Sequence, residues 1–301
     1  MSRGSVVRLA ALALLWGSGF LWIKLALRGF TPVQIVLVRL ALGAAVLASI
    51  ALVRRLRFPA GGAVWGHLFV AALVANAIPY TLFGIGERTI GSNVAGVLNA
   101  TTPLWTVLVA FAAGTDRAIS VKGGLGIGLG FVGTVLIFSP WESAGEIASW
   151  GGVAILAASA SYGVSYVYMG RYLTNRGIPP IVLSASQLAA GALLMLLALP
   201  FDGFSAPRFR TDAVLSLLIL GVLGTGVAYV LNYRLIGDEG PTAASTTTYL
   251  LPVVAVVLGA LVVDERVTVP MVAGMVLVLG GVALAQRRNS ASATVSAETR
   301  R

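Results

Sequence analysis

The chain has 301 residues, 57% of them hydrophobic and 11% charged, with a mean hydropathy of +0.91 and a formal net charge of +10. Soluble domains carry about 25% charged residues, so this composition excludes a soluble globule. Cysteine is absent, which removes disulfides, thiolate metal sites and thiol catalysis.

Apolar runs long enough to cross a hydrocarbon core of about 30 Å at 1.5 Å per residue recur along the chain. The sequence predicts ten spans: 6–27, 33–53, 64–83, 93–113, 121–139, 150–169, 180–199, 213–235, 242–263 and 269–286. Arg3 and Arg8 precede the first run as they would in a secretory signal. The run ends in bulky residues and Lys24, however, without a small-residue cleavage pattern, so it reads as the first span. Connections are short, and the tail "RRNSASATVSAETRR" has the composition of a disordered segment. The expected fold is an all-α polytopic membrane protein of ten transmembrane helices. Its units are 1–140, 141–286 and a disordered cytoplasmic tail, 287–301.

The charge is a topology signal rather than a nucleic-acid footprint. With this span order, fourteen Lys and Arg fall on the side of the termini and six on the other, while Arg39 lies inside a helix. That bias follows the positive-inside rule and predicts both termini in the cytoplasm, with the chain in the cytoplasmic (inner) membrane of a bacterium.

An internal repeat is visible. At an offset of 146, Trp16, Gly17 and Phe20 fall on Tyr162, Gly163 and Tyr166; at 148, Gly29, Pro32 and Gly43 fall on Gly177, Pro180 and Gly191. At 149, Tyr80, Pro103 and Asp116 fall on Tyr229, Pro252 and Glu265. Five spans per half is an odd number, so the second copy crosses in the opposite direction and the two form inverted-topology repeats. Such repeats mark secondary transporters, whose sites lie near the midplane where the halves meet.

The stretch "LLWGSGFLWIKLALRGFTPVQIVLVRLALGA" resembles the opening of the EamA domain of the drug/metabolite transporter superfamily: a Trp-Gly-Ser first helix, a Lys near its end and an Arg in the second helix. "LLPVVAVVLGALVVDERVT" followed by "AGMVLVLGGVAL" resembles its closing signature. The likeness covers about residues 6–286. It implies a ten-helix carrier, with the aromatic amino-acid exporter branch as a similar group, and helices five and ten outside the cavity. The first half departs in ending with "GTDRAISVKGG" where the second has "DER".

Trp16, Phe20 and Lys24 are four apart and share one helical face, and Tyr162 and Tyr166 form the matching stripe. Rings and glycine notches in a membrane serve packing or interfacial anchoring. Trp16 and Tyr162 are far from the outer ends, which favours lining a cavity. Arg39 sits about six residues into the second helix, where a cation is costly unless it faces protein or water. It either presents its guanidinium to a substrate carboxylate, with Lys24 at the outer mouth, or pairs structurally with Glu87 or with carbonyls freed at a kink. Its repeat mate, Gln187, is neutral.

Pro103 and Pro252 fall mid-span and free the carbonyls of Asn99 and Thr248, so helices four and nine are expected to bend, as a packing kink or a gating hinge. Asn76, Tyr80, Asn99, Tyr162, Gln187, Tyr229, Asn232 and Tyr249 are further substrate-binding candidates. Each alone reads as an interhelical hydrogen bond; their clustering favours a cavity.

"GGLGIGLGFVG" contains Gly128, Gly130 and Gly133 in dinucleotide-binding spacing. No strand precedes it and no acid follows about 20 residues on, so it reads as a helix-packing face. His67, the single histidine, reads as an interfacial side chain, and no metal set surrounds it. All eleven Asp and Glu fall in loops, helix ends or the tail. An intramembrane enzyme would lack its base and a carboxylate-based cation extruder its buried acid. The expectation is a carrier, with no cofactor or metal, whose partners are a small carboxylate-bearing solute and the lipid bilayer, and which works as a monomer or homodimer. Export of cationic drugs held by cation–π contact is the second reading, and a channel or intramembrane enzyme the third.

Overall fold

The computed structural model describes residues 1–86, 89–90, 92–114, 121–143, 148–202, 206–262 and 267–285. Among the described residues the chain is helical, without strands. The first half comprises α1 (Arg3–Gly17, continued by Gly19–Ala26), α2 (Pro32–Val53), α3 (Gly62–Gly86), α4 (Ser92–Asn99, continued by Thr102–Ala112) and α5 (Val121–Phe138). The second comprises α6 (Trp150–Tyr172), α7 (Pro180–Ala198), α8 (Thr211–Glu239), α9 (Pro241–Ser245, continued by Thr247–Val262) and α10 (Val269–Ala285). Nine of these are long and apolar enough to cross a membrane, and α10 is a shorter apolar helix. The expected ten spans are thus present, in the order that inverts the second half. The tail 287–301, Glu87, Asp116 and Glu265 lie outside the described residues.

The halves repeat each other in their irregularities as well as their helices. A π-helical turn interrupts α3 at Leu73–Ala77 and another interrupts α8 at Val222–Val227, which are mates at the offset of 149. A π turn lodges an extra residue in a helix and is frequent at functional sites. The helix is also broken in α4 at Ala100–Thr101 and in α9 at Thr246. Backbone carbonyls inside a membrane need donors, and at these breaks hydroxyls add to them. Thr101 and Thr102 donate to the carbonyls of Leu98 and Asn99 at 2.6 and 2.8 Å, and Thr246 and Thr247 to those of Ala243 and Ala244 at 2.7 and 2.8 Å.

Pro103 therefore does not kink a continuous helix: it opens the second part of α4, where its missing N–H would have lacked a partner anyway. Pro252 does lie inside a helix, Thr247–Val262, six residues past the break that interrupts α9.

Glycine sets the closest approaches. A Cβ on Gly17 would lie 2.7 Å from Val254 of α9, and one on Gly163 would lie 2.6 Å from Trp105 of α4. Gly17 and Gly163 are repeat mates, as are Val254 and Trp105, so one contact is built twice. The glycine run of α5 packs on α10 and on the start of α9: a Cβ on Gly281 would meet the Gly130 backbone at 2.5 Å, one on Gly133 the Gly274 carbonyl at 2.6 Å, and one on Gly130 the Tyr249 ring of α9 at 2.7 Å. This is the packing face expected from the run.

At the end of the bundle that carries the termini, Arg8 of α1 pairs with Asp238 of α8 at 2.7 Å. At the opposite end Arg28 pairs with Asp212 at 3.2 Å, and the Arg208 N–H donates to the Gly29 carbonyl at 2.8 Å. The helices α1 and α8, one from each half, are thus tied at both ends.

Candidate transport site

Between the halves lies a cavity of about 420 Å³. Its wall runs from Leu27, Pro32 and Gly84, at the end opposite the termini, to Met169, Asn232 and Thr248 deeper in the bundle. No lining residue comes from α5 or α10, as the resemblance implies.

Arg39 is 8% exposed and reaches the cavity wall. Its Nε donates to Thr225 Oγ1, in the π turn of α8, at 2.9 Å, and its guanidinium carbon stands 4.9 Å from the centroid of the Tyr80 ring. No carboxylate lies within ion-pair distance of it among the described residues. A hydroxyl and a ring orient this cation without neutralising it. Thr225 was not among the sequence candidates, although the repeat points to it as the mate of Asn76.

Two aromatic pairs flank the site. Trp16 of α1 meets Tyr229 of α8 edge to face, with ring centroids 6.4 Å apart and planes at 69°. Tyr162 of α6 meets Tyr80 of α3 at 6.4 Å and 68°. The pairs are repeat mates, and each joins one half to the other. All four residues line the cavity, as do Asn99, Tyr166 and Asn232. Thr248, the repeat mate of Asn99, lines it too.

The remaining candidates go elsewhere. Asn76 and Gln187 do not reach the wall: Gln187 Nε2 donates to Asn76 Oδ1 at 3.0 Å, Asn76 Nδ2 donates to the Tyr229 hydroxyl, and the Tyr233 hydroxyl donates to Gln187 Oε1. They form a buried brace instead of a ligand contact. Tyr249 is fully buried against Gly130 of α5, away from the cavity. The side chains of Phe20 and Lys24 lie outside the described part of the structure. His67 hydrogen-bonds the Tyr168 hydroxyl through Nδ1 at 2.7 Å and stacks on Tyr172 at 4.7 Å, remote from the cavity. Among the described residues no group of His, Asp and Glu could hold a metal.

Comparison with known proteins agrees with this architecture. The model of the EamA-like transporter family matches twice, over residues 5–139 and 149–286, one copy per half. The uncharacterized transporter YdfC of Bacillus subtilis is 28% identical over 89% of this chain and 86% of its own length. An uncharacterized transporter of Archaeoglobus fulgidus is 26% identical over 93% of this chain and 98% of its own. The uncharacterized inner membrane transporter YedA of Escherichia coli is 26% identical over 83% of this chain. A crystal structure with a TM-score of 0.77 covers 95% of this chain at 20% identity, which shows a shared fold. Two matched repeats, transporter relatives along nearly the whole chain and a cavity where inverted halves meet lead to one assignment: the chain belongs to the EamA-like transporter family of the drug/metabolite transporter superfamily, as a multi-pass membrane transporter and not an enzyme.

Proposed function

We propose that this transporter exports amino acids or similar small carboxylate-bearing metabolites across the cytoplasmic membrane by alternating access. The positive-inside bias supports cytoplasmic termini, and the cavity wall includes Leu27, Pro32 and Gly84 from the opposite ends of their helices. The observation that carries the substrate class is Arg39. Burying a cation without a counter-ion costs several kcal/mol, and an Arg fork matches a carboxylate in two parallel hydrogen bonds. A carboxylate entering the cavity offsets that cost during its stay and forfeits the gain when it leaves, as a carrier requires. The aromatic pairs give the apolar part of the solute a wall, and Asn99 is an amide on that wall for an amine.

The same rings favour a second reading, efflux of quaternary cations by cation–π contact, which the Arg39 charge opposes. The test is counterflow in proteoliposomes preloaded with single amino acids, comparing the wild type with Arg39→Ala. Accumulation of labelled threonine, methionine or phenylalanine by the wild type and its loss in the variant are expected. Movement of a quaternary ammonium ion by both proteins, with no amino acid moving, would replace this reading with the second.

A further inference from the structure

The cavity holds a polar group that a carboxylate on Arg39 leaves unused. Asn232 lines the wall, is 5% exposed, and its Oδ1 is buried without a hydrogen-bond partner among the described residues. Buried amide oxygens are rarely left so. Of the hydroxyls on the same wall, Ser165 donates to the Tyr162 carbonyl at 2.8 Å.

Tyr229 and Asn232, three apart on α8 beyond its π turn, both line the cavity, and Thr225 within that turn bonds the cavity-lining Arg39. Thr225 holds Arg39, and Asn232 lies seven residues further, about 10 Å along the axis at 1.5 Å per residue. Tyr229, with Trp16 against its ring, stands between. The order along the wall is cation, aromatic surface, unpaired acceptor. An α-amino group shares a carbon with its carboxylate and is too short to bridge that distance.

We propose that Asn232 is a specificity-determining residue that reads the far end of the substrate. It accepts a hydrogen bond from a donor on the tail of a solute whose carboxylate sits on Arg39 and whose apolar middle lies on Trp16 and Tyr229. The preferred class is an amphipathic carboxylate ending in a hydroxyl or amine. This rests on the carboxylate reading of the site.

The experiment measures binding of phenylalanine, tyrosine and O-methyltyrosine to the full-length protein in nanodiscs. Wild type, Asn232→Leu and Asn232→Asp are compared. One net hydrogen bond corresponds to a roughly three- to tenfold preference. Tyrosine is expected to exceed both phenylalanine and O-methyltyrosine by that factor in the wild type. Asn232→Leu brings the three to near equality, and a melting curve reports that the variant is folded. Asn232→Asp gains a preference for lysine over norleucine, and carries the test if the leucine variant does not fold. Equal ratios in wild type and variants, or O-methyltyrosine matching tyrosine, would overturn the proposal and leave the carboxylate site standing. Failure of all three ligands to bind the wild type would remove the carboxylate reading and this inference with it.

Discussion

Arg39 and Thr225 make one member of a pair of interactions that the pseudo-two-fold axis repeats. Arg39 on α2 donates to Thr225 in the π turn of α8 at 2.9 Å; Gln187 on α7 donates to Asn76 in the π turn of α3 at 3.0 Å. Arg39 and Gln187 are repeat mates, and so are Thr225 and Asn76. In both, the second helix of one half grips the π turn of the other. What differs is the surroundings. The Gln187 oxygen is taken by the hydroxyl of Tyr233, whose repeat mate is Gly84, a cavity-lining residue. One copy is therefore filled and neutral, and the other open and charged, so a symmetric scaffold acquires a single lopsided site.

Thr225→Val keeps the shape of the π turn and the charge of Arg39 but removes the acceptor of Nε. Losing one orienting hydrogen bond to a charged group is worth about 1.5 kcal/mol or somewhat more, so carboxylate binding should weaken roughly tenfold or more. The folded protein should melt within a few degrees of the wild type. Calorimetric titration alongside a melting curve checks this; unchanged affinity would mean that Thr225 does not position Arg39.

Gly84→Leu should obstruct the open copy. The nearest atom to a Cβ at this position is that of Pro32, at 3.5 Å, so the backbone tolerates a side chain that then occupies cavity space. The expected result is at least tenfold weaker carboxylate binding in a protein of wild-type stability. Binding at wild-type strength would show that this end of the cavity is not on the substrate's path.

Gln187→Leu acts on the closed copy. It takes the Gln187 amide, their shared partner, from both the Asn76 oxygen and the Tyr233 hydroxyl. Interhelical hydrogen bonds in membrane bundles couple by about 0.6 kcal/mol on average, because the unfolded reference also finds partners. A double-mutant cycle of Gln187→Leu with Asn76→Leu, read from unfolding in mixed detergent, should return a coupling of that order. Carboxylate affinity should hold in the single variant, since Gln187 lies outside the cavity wall; a tenfold loss would place it in the ligand site after all.

Composition and period alone determine a good deal here. Ten apolar runs, an odd number per half and the offsets near 148 are enough to derive the inverted repeat. The glycine run on α5 is legible as a packing face because nothing in its context could serve a nucleotide. Arg39 stands out because burial of a lone charge is costly wherever it occurs. What the tertiary structure alone decided is which polar residues face the cavity. Asn76, Gln187 and Tyr249 look like Asn99, Asn232 and Tyr229 in the sequence, yet the first two brace the halves and the third packs on Gly130. Helices apolar on every side carry no moment from which to read their orientation. The π turns at Leu73–Ala77 and Val222–Val227 compound this, since one inserted residue turns everything beyond it by about 100° and breaks the spacing rule across the turn. The phase of each helix is set by the neighbours it packs against, and those contacts exist only in the folded bundle.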